Sequence, residues 1–344
     1  MSSQSNPIPA TPDWPQELRD CGAVLEADGV LHFGEPESER AALLTAPTLH
    51  PLVDWSLLRA SGPDAGSFLQ GQFSNDIDVL DPSRAQLSTY CTAQGRMLAS
   101  LVLWREASGY IMQLPAEIAQ GVRTRLQKHV LRAKVTLCDV TAQMRAFGLG
   151  GPDASAALEA LVDRPPAAPW GIACGPHVKV ISLHEQLFVV IAPSEHWRAA
   201  WDHLCRLARP AGSAGWRWHL IAAGIPVITA ATQEQFVPQM ANFEQLGAIS
   251  FTKGCYPGQE IVARARYRGE VKRRLYRLHG PAGAPAAGQA IFQPGESAAC
   301  GMVLNAAPAP GGGFDLLAVL LTSAAETGTL CLASRDGPPL HLCR

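Results

Sequence analysis

The octapeptide Lys253-Gly254-Cys255-Tyr256-Pro257-Gly258-Gln259-Glu260 gathers an amine, a thiol, a phenol, an amide and a carboxylate around two glycines and a proline. Pro257 suits the first turn of a helix, and GQEIVARAR after it reads as one. Cys255 would then stand at or just before a helix N-terminus. The partial positive charge there and the Lys253 ammonium both favour thiolate, which makes Cys255 a candidate nucleophile or redox group. The plainer alternative is a small cysteine buried in an apolar turn. Gln259 and Glu260 offer an amide beside a carboxylate, the complement of a heterocycle with donor and acceptor on one edge, such as a pterin. The plainer role for Glu260 is to stabilise the helix N-terminus.

Downstream, Arg264, Arg266, Arg268, Lys272, Arg273, Arg274 and Arg277 face a single acid, Glu270. Such a patch suits RNA phosphates or the carboxylates of a polyglutamate tail. It equally suits a strand edge kept from aggregating by its charge. Trp55 and Trp216 sit in half-polar contexts, where a flat ring can stack on a heteroaromatic ligand. FGLGGPD at 147–153 lacks the spacing and the acidic partner of a dinucleotide loop. His196 and His203 share a helix face without the companions a metal site needs. No G-x-S-x-G or H-E-x-x-H occurs.

These residues need positioning elements. VDWSLLRA (53–60) alternates like a half-buried strand, and a short helix follows Gly62-Pro63-Asp64. Residues 86–114 read as strands broken at Gly95 and Gly109. Residues 116–130 carry an amphipathic helix, with strands at 134–140 and 144–151. A helix is expected over GPDASAALEALVD, a hairpin over VKVISLHEQLFVVIA, and a helix from Ser194. WRWHLIAAGIPVI (216–228) forms a further helix or strand that stops at Pro226. Two α+β modules with antiparallel sheets follow from this order. After Gly269, short strands separated by Gly and Pro predict a small β-barrel. Residues 1–47 read as a loosely structured N-terminal arm.

Composition narrows the function classes. The chain has 344 residues, 47% of them hydrophobic and 17% charged, with a formal net charge of −2. That excludes disorder and any global field that would recruit nucleic acid or membrane. The nine cysteines form no C-x-x-C pair, which argues against a disulfide framework or a thiolate metal site and for a reducing cytoplasm. The first residues lack the charged and apolar regions of a secretory signal, and no apolar run is long enough to span a bilayer.

The block FVPQ (236–239), followed by NFEQLGAISFTKGCYPGQEIVARARYRGEVKRRLYRL, resembles the signature region of the YgfZ family of folate-binding, tRNA-modifying proteins, relatives of the glycine-cleavage T-protein. VDWSLLRASGPDAGSFLQGQFSNDI resembles the family's N-terminal segment. The likeness thins over 140–210 and after 280. It implies three domains around a central hole: a discontinuous folate-binding domain (48–140 plus 216–268), a second α+β domain (141–215) and a C-terminal barrel (269–344). It also implies that the octapeptide faces that hole. The family's folate-contacting tryptophans match Trp55 and Trp216, and its essential cysteine matches Cys255, beside Lys253. One departure from the T-protein stands out. Ala99 and Ser100 occupy the place of its acidic pair, and without a carboxylate there glycine-cleavage chemistry has no proton acceptor.

The resemblance implies a cytoplasmic protein that binds tetrahydrofolate or a derivative. It would support assembly or repair of iron–sulfur enzymes, including those that thiolate tRNA. The pterin would lie against Trp55 or Trp216, next to Gln259 and Glu260, with the anionic tail toward Arg264, Arg266 and their neighbours. Cys255 would act from the wall. An enzymatic alternative is a one-carbon transferase or demethylase with Glu260, Asp76 or Lys253 as base. A third reading is an interaction scaffold for RNA or for tRNA-modifying enzymes, led by the basic patch at 264–277.

Overall fold

The computed structural model describes residues 14–26, 29–267, 272–283 and 285–343, with the backbone alone at 265–267. Two sheets, antiparallel but for the parallel edge pair of Arg209–Pro210 with Thr48–Pro51, and a closed barrel share one core, an α+β architecture. The first sheet has five strands in the order Ala85–Cys91, Met97–Glu106, Gly109–Pro115, Trp55–Ser61 and Thr136–Asp139. Its strands read as near-continuous apolar runs because both faces are covered. Leu58, Leu101, Leu103 and Met112 pack on one face with Ile118, Val122 and Leu126 of helix Ala116–Val130. The spacing of those helical residues is the stripe of an amphipathic helix. Leu57, Leu87, Val102 and Ile111 point the other way, into a core shared with the second sheet.

The second sheet has six strands, ordered Ile172–Cys174, Lys179–His184, Leu187–Pro193, Met144–Gly150, Thr48–Pro51 and Arg209–Pro210. Helix Ser213–Ala222 lies between this sheet and the barrel, and Gly148 and Gly150 make the approach possible. A β-carbon on Gly148 would stand 2.2 Å from the Trp216 ring, and one on Gly150 would stand 2.9 Å from the His219 ring. The glycines of FGLGG therefore seat a helix. On the far side of the same helix, Trp218 Nε1–H donates to Asp315 of the barrel at 2.9 Å. Asp315 also accepts from Arg277 and His279, each at 2.9 Å. Burial pushes the Asp315 carboxyl up, but these three donors outweigh it and hold the group below its ordinary range.

The barrel closes through six strands, Arg273–Gly280, Phe314–Leu321, Ala299–Pro308, Ala290–Phe292, Leu330–Leu332 and Pro339–Leu342. The closing strand Pro339–Leu342 is short and begins with proline, which hid it from a sequence reading. Two further expectations are corrected. Residues 14–47 are no loose arm: helices Trp14–Asp20 and Pro36–Thr45 flank a hairpin, and Trp14 and Leu18 are buried in the core beneath the second sheet. The indole of Trp14 meets Phe147 at 6.0 Å and covers the Arg145 guanidinium at 5.2 Å, so the segment is held by long-range packing. Residues 1–13 of that arm lie outside the described residues. The helix expected over 151–163 is only the single turn Ala156–Leu158.

Candidate functional site

The octapeptide is fastened from beneath. The Lys253 side chain runs inward, and its Nζ donates to the carbonyls of Gln70, Phe73 (2.7 Å) and Asn75 (2.9 Å). All three ammonium protons are thereby used. Burial pushes its pKa down to about 8, with Asp76 and Asp78 pulling it back up. The same Nζ lies 5.3 Å from the centre of the buried Tyr256 ring. Gly258 adopts φ +83°, and a β-carbon there would meet the Thr92 carbonyl at 2.5 Å and Gly95 Cα at 2.6 Å. The loop thus lies flat on the Thr92–Gly95 turn. Burial pushes the Tyr256 phenol well above its ordinary range and the Cys91 thiol up to about 12, so neither reacts as an anion at neutral pH.

Above this foundation Cys255 is exposed. Helix Gln259–Tyr267 begins four residues after it, so the thiol precedes the helix rather than capping it. Glu260 lies in the first turn, exposed, with Gln259 half-buried and Arg264 exposed. The Arg266 side chain, Arg268 and Glu270 lie outside the described residues. The rest of the basic patch is largely committed inside the protein. Arg273 donates to the Cys300 carbonyl at 3.3 Å, Arg274 pairs with Glu244 at 2.6 Å, and Arg277 pairs with Asp315 at 2.9 Å. Only Arg264 and Lys272 stand exposed among its described members.

The tryptophans lie elsewhere. A cavity of about 1360 Å³ opens between the first sheet, the N-terminal hairpin, the segment after helix Ser213–Ala222 and the barrel. Its wall includes Trp55, Arg217, Glu117, Arg19 and Asn305. Arg217 pairs with Asp54 at 3.2 Å, and Asn305 exchanges two hydrogen bonds with the Val227 backbone. A second pocket of about 20 Å³ adjoins it, sharing Trp55, Leu220, Ile225 and Val227. This small pocket also touches Ser100, Gln113 and Trp216, and no charged side chain lines it. Trp216 is only 2% exposed and belongs to the shared core, with Trp55 packed against that core.

The structure therefore brings Trp55 and Trp216 together on the small pocket, and only Trp55 also lines the large cavity. No residue of 253–260 is among those lining either space. Ala99 is buried, and Ser100 Oγ accepts the Ile228 N–H at 3.0 Å, so both are structural. Gln113 escaped the sequence reading. Its signal was a lone polar residue in GYIMQLP, on the same face as the apolar Ile111. Among the described residues no three His, Cys, Asp or Glu side chains could hold a metal, and no helix is long and apolar enough to cross a membrane.

Residues 48–173 match the profile of the GCVT N-terminal domain. A tRNA-modifying protein YgfZ from Edwardsiella ictaluri is 37% identical over 250 residues, covering 72% of this chain and 75% of its own length. One of the same name from Yersinia pestis (strain Pestoides F) is 34% identical over 288 residues, covering 82% of this chain and 87% of its own. In overall shape the chain is similar to the glycine cleavage system aminomethyltransferase T from Bartonella henselae. Their TM-score is 0.76 at 17% identity, covering 96% of this chain and 95% of that one.

Proposed function

The chain belongs to the YgfZ family, and from that premise we propose that it binds a reduced folate in its central cavity and serves tRNA modification. The observation that carries the reading is Trp55 on the wall of a 1360 Å³ cavity, with Trp216 beside it on the small adjoining pocket. The space is ample for a drug-sized ligand, and an aromatic wall with a few polar groups is what a heteroaromatic ring needs. Trp216 Nε1–H is buried without a hydrogen-bond partner among the described residues, which fits a ligand that brings an acceptor. Tetrahydrofolate, when bound, supplies a carrier for one-carbon units. The chain's own residues hold and orient it. Arg217 and Arg19 stand on the cavity wall, whereas Arg273, Arg274 and Arg277 of the basic patch are tied up with acids and carbonyls.

The small pocket holds no carboxylate, whereas Glu26, Asp54 and Glu117 line the large cavity, so one-carbon transfer with one of these as proton acceptor is the enzymatic alternative to binding alone. Cys255 is the reactive group of a separate, exposed face. A lone thiolate does not hold an iron–sulfur cluster, so contact with a client cluster would be transient and shared with the partner's own ligands. This accords with a role in assembly or repair of the iron–sulfur enzymes that thiolate tRNA. The test is titration of purified protein with tetrahydrofolate derivatives, followed by tryptophan fluorescence. Saturable quenching that is weakened in Trp55→Ala supports the reading, and no response to any reduced folate refutes it. Trp216→Ala is a poor control, because emptying a buried indole site costs about 3–5 kcal/mol of stability.

A further inference from the structure

Gln113 lies on the inward face of the first sheet, paired across the strands with Leu57 and Val102. It is 1% exposed, and its Nε2 has no hydrogen-bond partner among the described residues. The same holds for Trp216 Nε1, on the same small pocket. A buried donor left unpaired is costly, and native proteins seldom keep two at one place without a use. The pocket's volume of about 20 Å³ accommodates one water-sized group and no ring. It adjoins the large cavity at Trp55.

We propose that Gln113 and Trp216 donate together to a single carbonyl oxygen of the bound ring, which enters the small pocket while the ring itself lies in the large cavity against Trp55. Gln113 is then a specificity-determining residue for a neutral lactam edge. The pocket has donors but no charged lining, so it selects a carbonyl over a carboxylate. The inference rests on the folate reading and names the atoms that would recognise a 4-oxo pterin.

The test is calorimetric titration of tetrahydrofolate into wild type, Gln113→Leu and Trp216→Phe, with thermal melts of each unliganded protein. Wild type should bind, and each variant should bind about ten-fold more weakly, one hydrogen bond's worth. Gln113→Leu should melt at or above the wild-type temperature, because an apolar side chain of similar size replaces an unpaired amide. Wild-type affinity in Gln113→Leu overturns this proposal and leaves the folate reading standing. Weaker binding with a lowered melting temperature in Gln113→Leu also overturns it, since the amide would then be a structural partner. No binding of tetrahydrofolate by wild type removes both.

Discussion

Replacing Lys253 by methionine keeps the length of the side chain and removes its donors. Three buried carbonyls, those of Gln70, Phe73 and Asn75, would lose their partner. Lys253→Met should therefore lower stability by about 3 kcal/mol in urea titration. Cys255→Ser touches an exposed group and should change stability by less than about 0.5 kcal/mol. If Cys255 serves the tRNA pathway, that same variant should fail to restore tRNA thiolation in cells lacking the protein, with the fold intact. The sequence pointed to the octapeptide and to both residues, but not to their division of labour. The carbonyls that hold Lys253 lie some 180 residues upstream, and no local spacing encodes them.

At the scale of elements, helix Ser213–Ala222 depends on bare backbone beneath it. Gly148→Ala would place a methyl 2.2 Å from the Trp216 ring and should cost about 1–3 kcal/mol in thermal or urea unfolding. Strand Thr48–Pro51 meets the same helix through a polar cluster. His50 Nδ1–H donates to the Gly212 carbonyl at 2.9 Å, and Thr48 Oγ1 lies 3.0 Å from His50 Nε2 and 2.8 Å from His219 Nε2. Burial pushes the His50 pKa down to about 4, and burial together with His50 pushes His219 well below its ordinary value. Both rings thus bind protons less readily folded than unfolded. Stability should be intact above about pH 6.5 and fall as the pH drops toward 4, by about 3 kcal/mol for His50 alone. His50→Asn, which keeps a donor for Gly212, should flatten that slope. Helix 116–130 was legible because its apolar residues recur at helical spacing, and the strands near 53–60, 134–140 and 144–151 because they are short apolar runs bounded by turn residues. Residues 14–47 were not, since their few apolar side chains gain meaning only against Phe147 and the second sheet. Gln113 was legible as an oddity only, because a strand inside a fully covered sheet does not announce which face meets a ligand.

Across the whole molecule, one carboxylate ties barrel to body. Asp315→Ala would strand Trp218 Nε1, Arg277 and His279 together, at a cost of about 3 kcal/mol to unfolding. The Asp315 carboxyl is held below its ordinary range, so its contribution is present above about pH 4 and lost as the pH falls through the lowered value. The cavity walled by both the barrel and the first sheet should then lose ligand affinity along with stability. The central claim is that a reduced folate occupies this cavity, away from the octapeptide. Amide hydrogen exchange with and without tetrahydrofolate tests it most directly. Protection confined to the segments around Trp55, Gln113–Glu117 and Trp216–Thr229 is the predicted result. Protection at Lys253–Glu260 instead, or none anywhere, would contradict it.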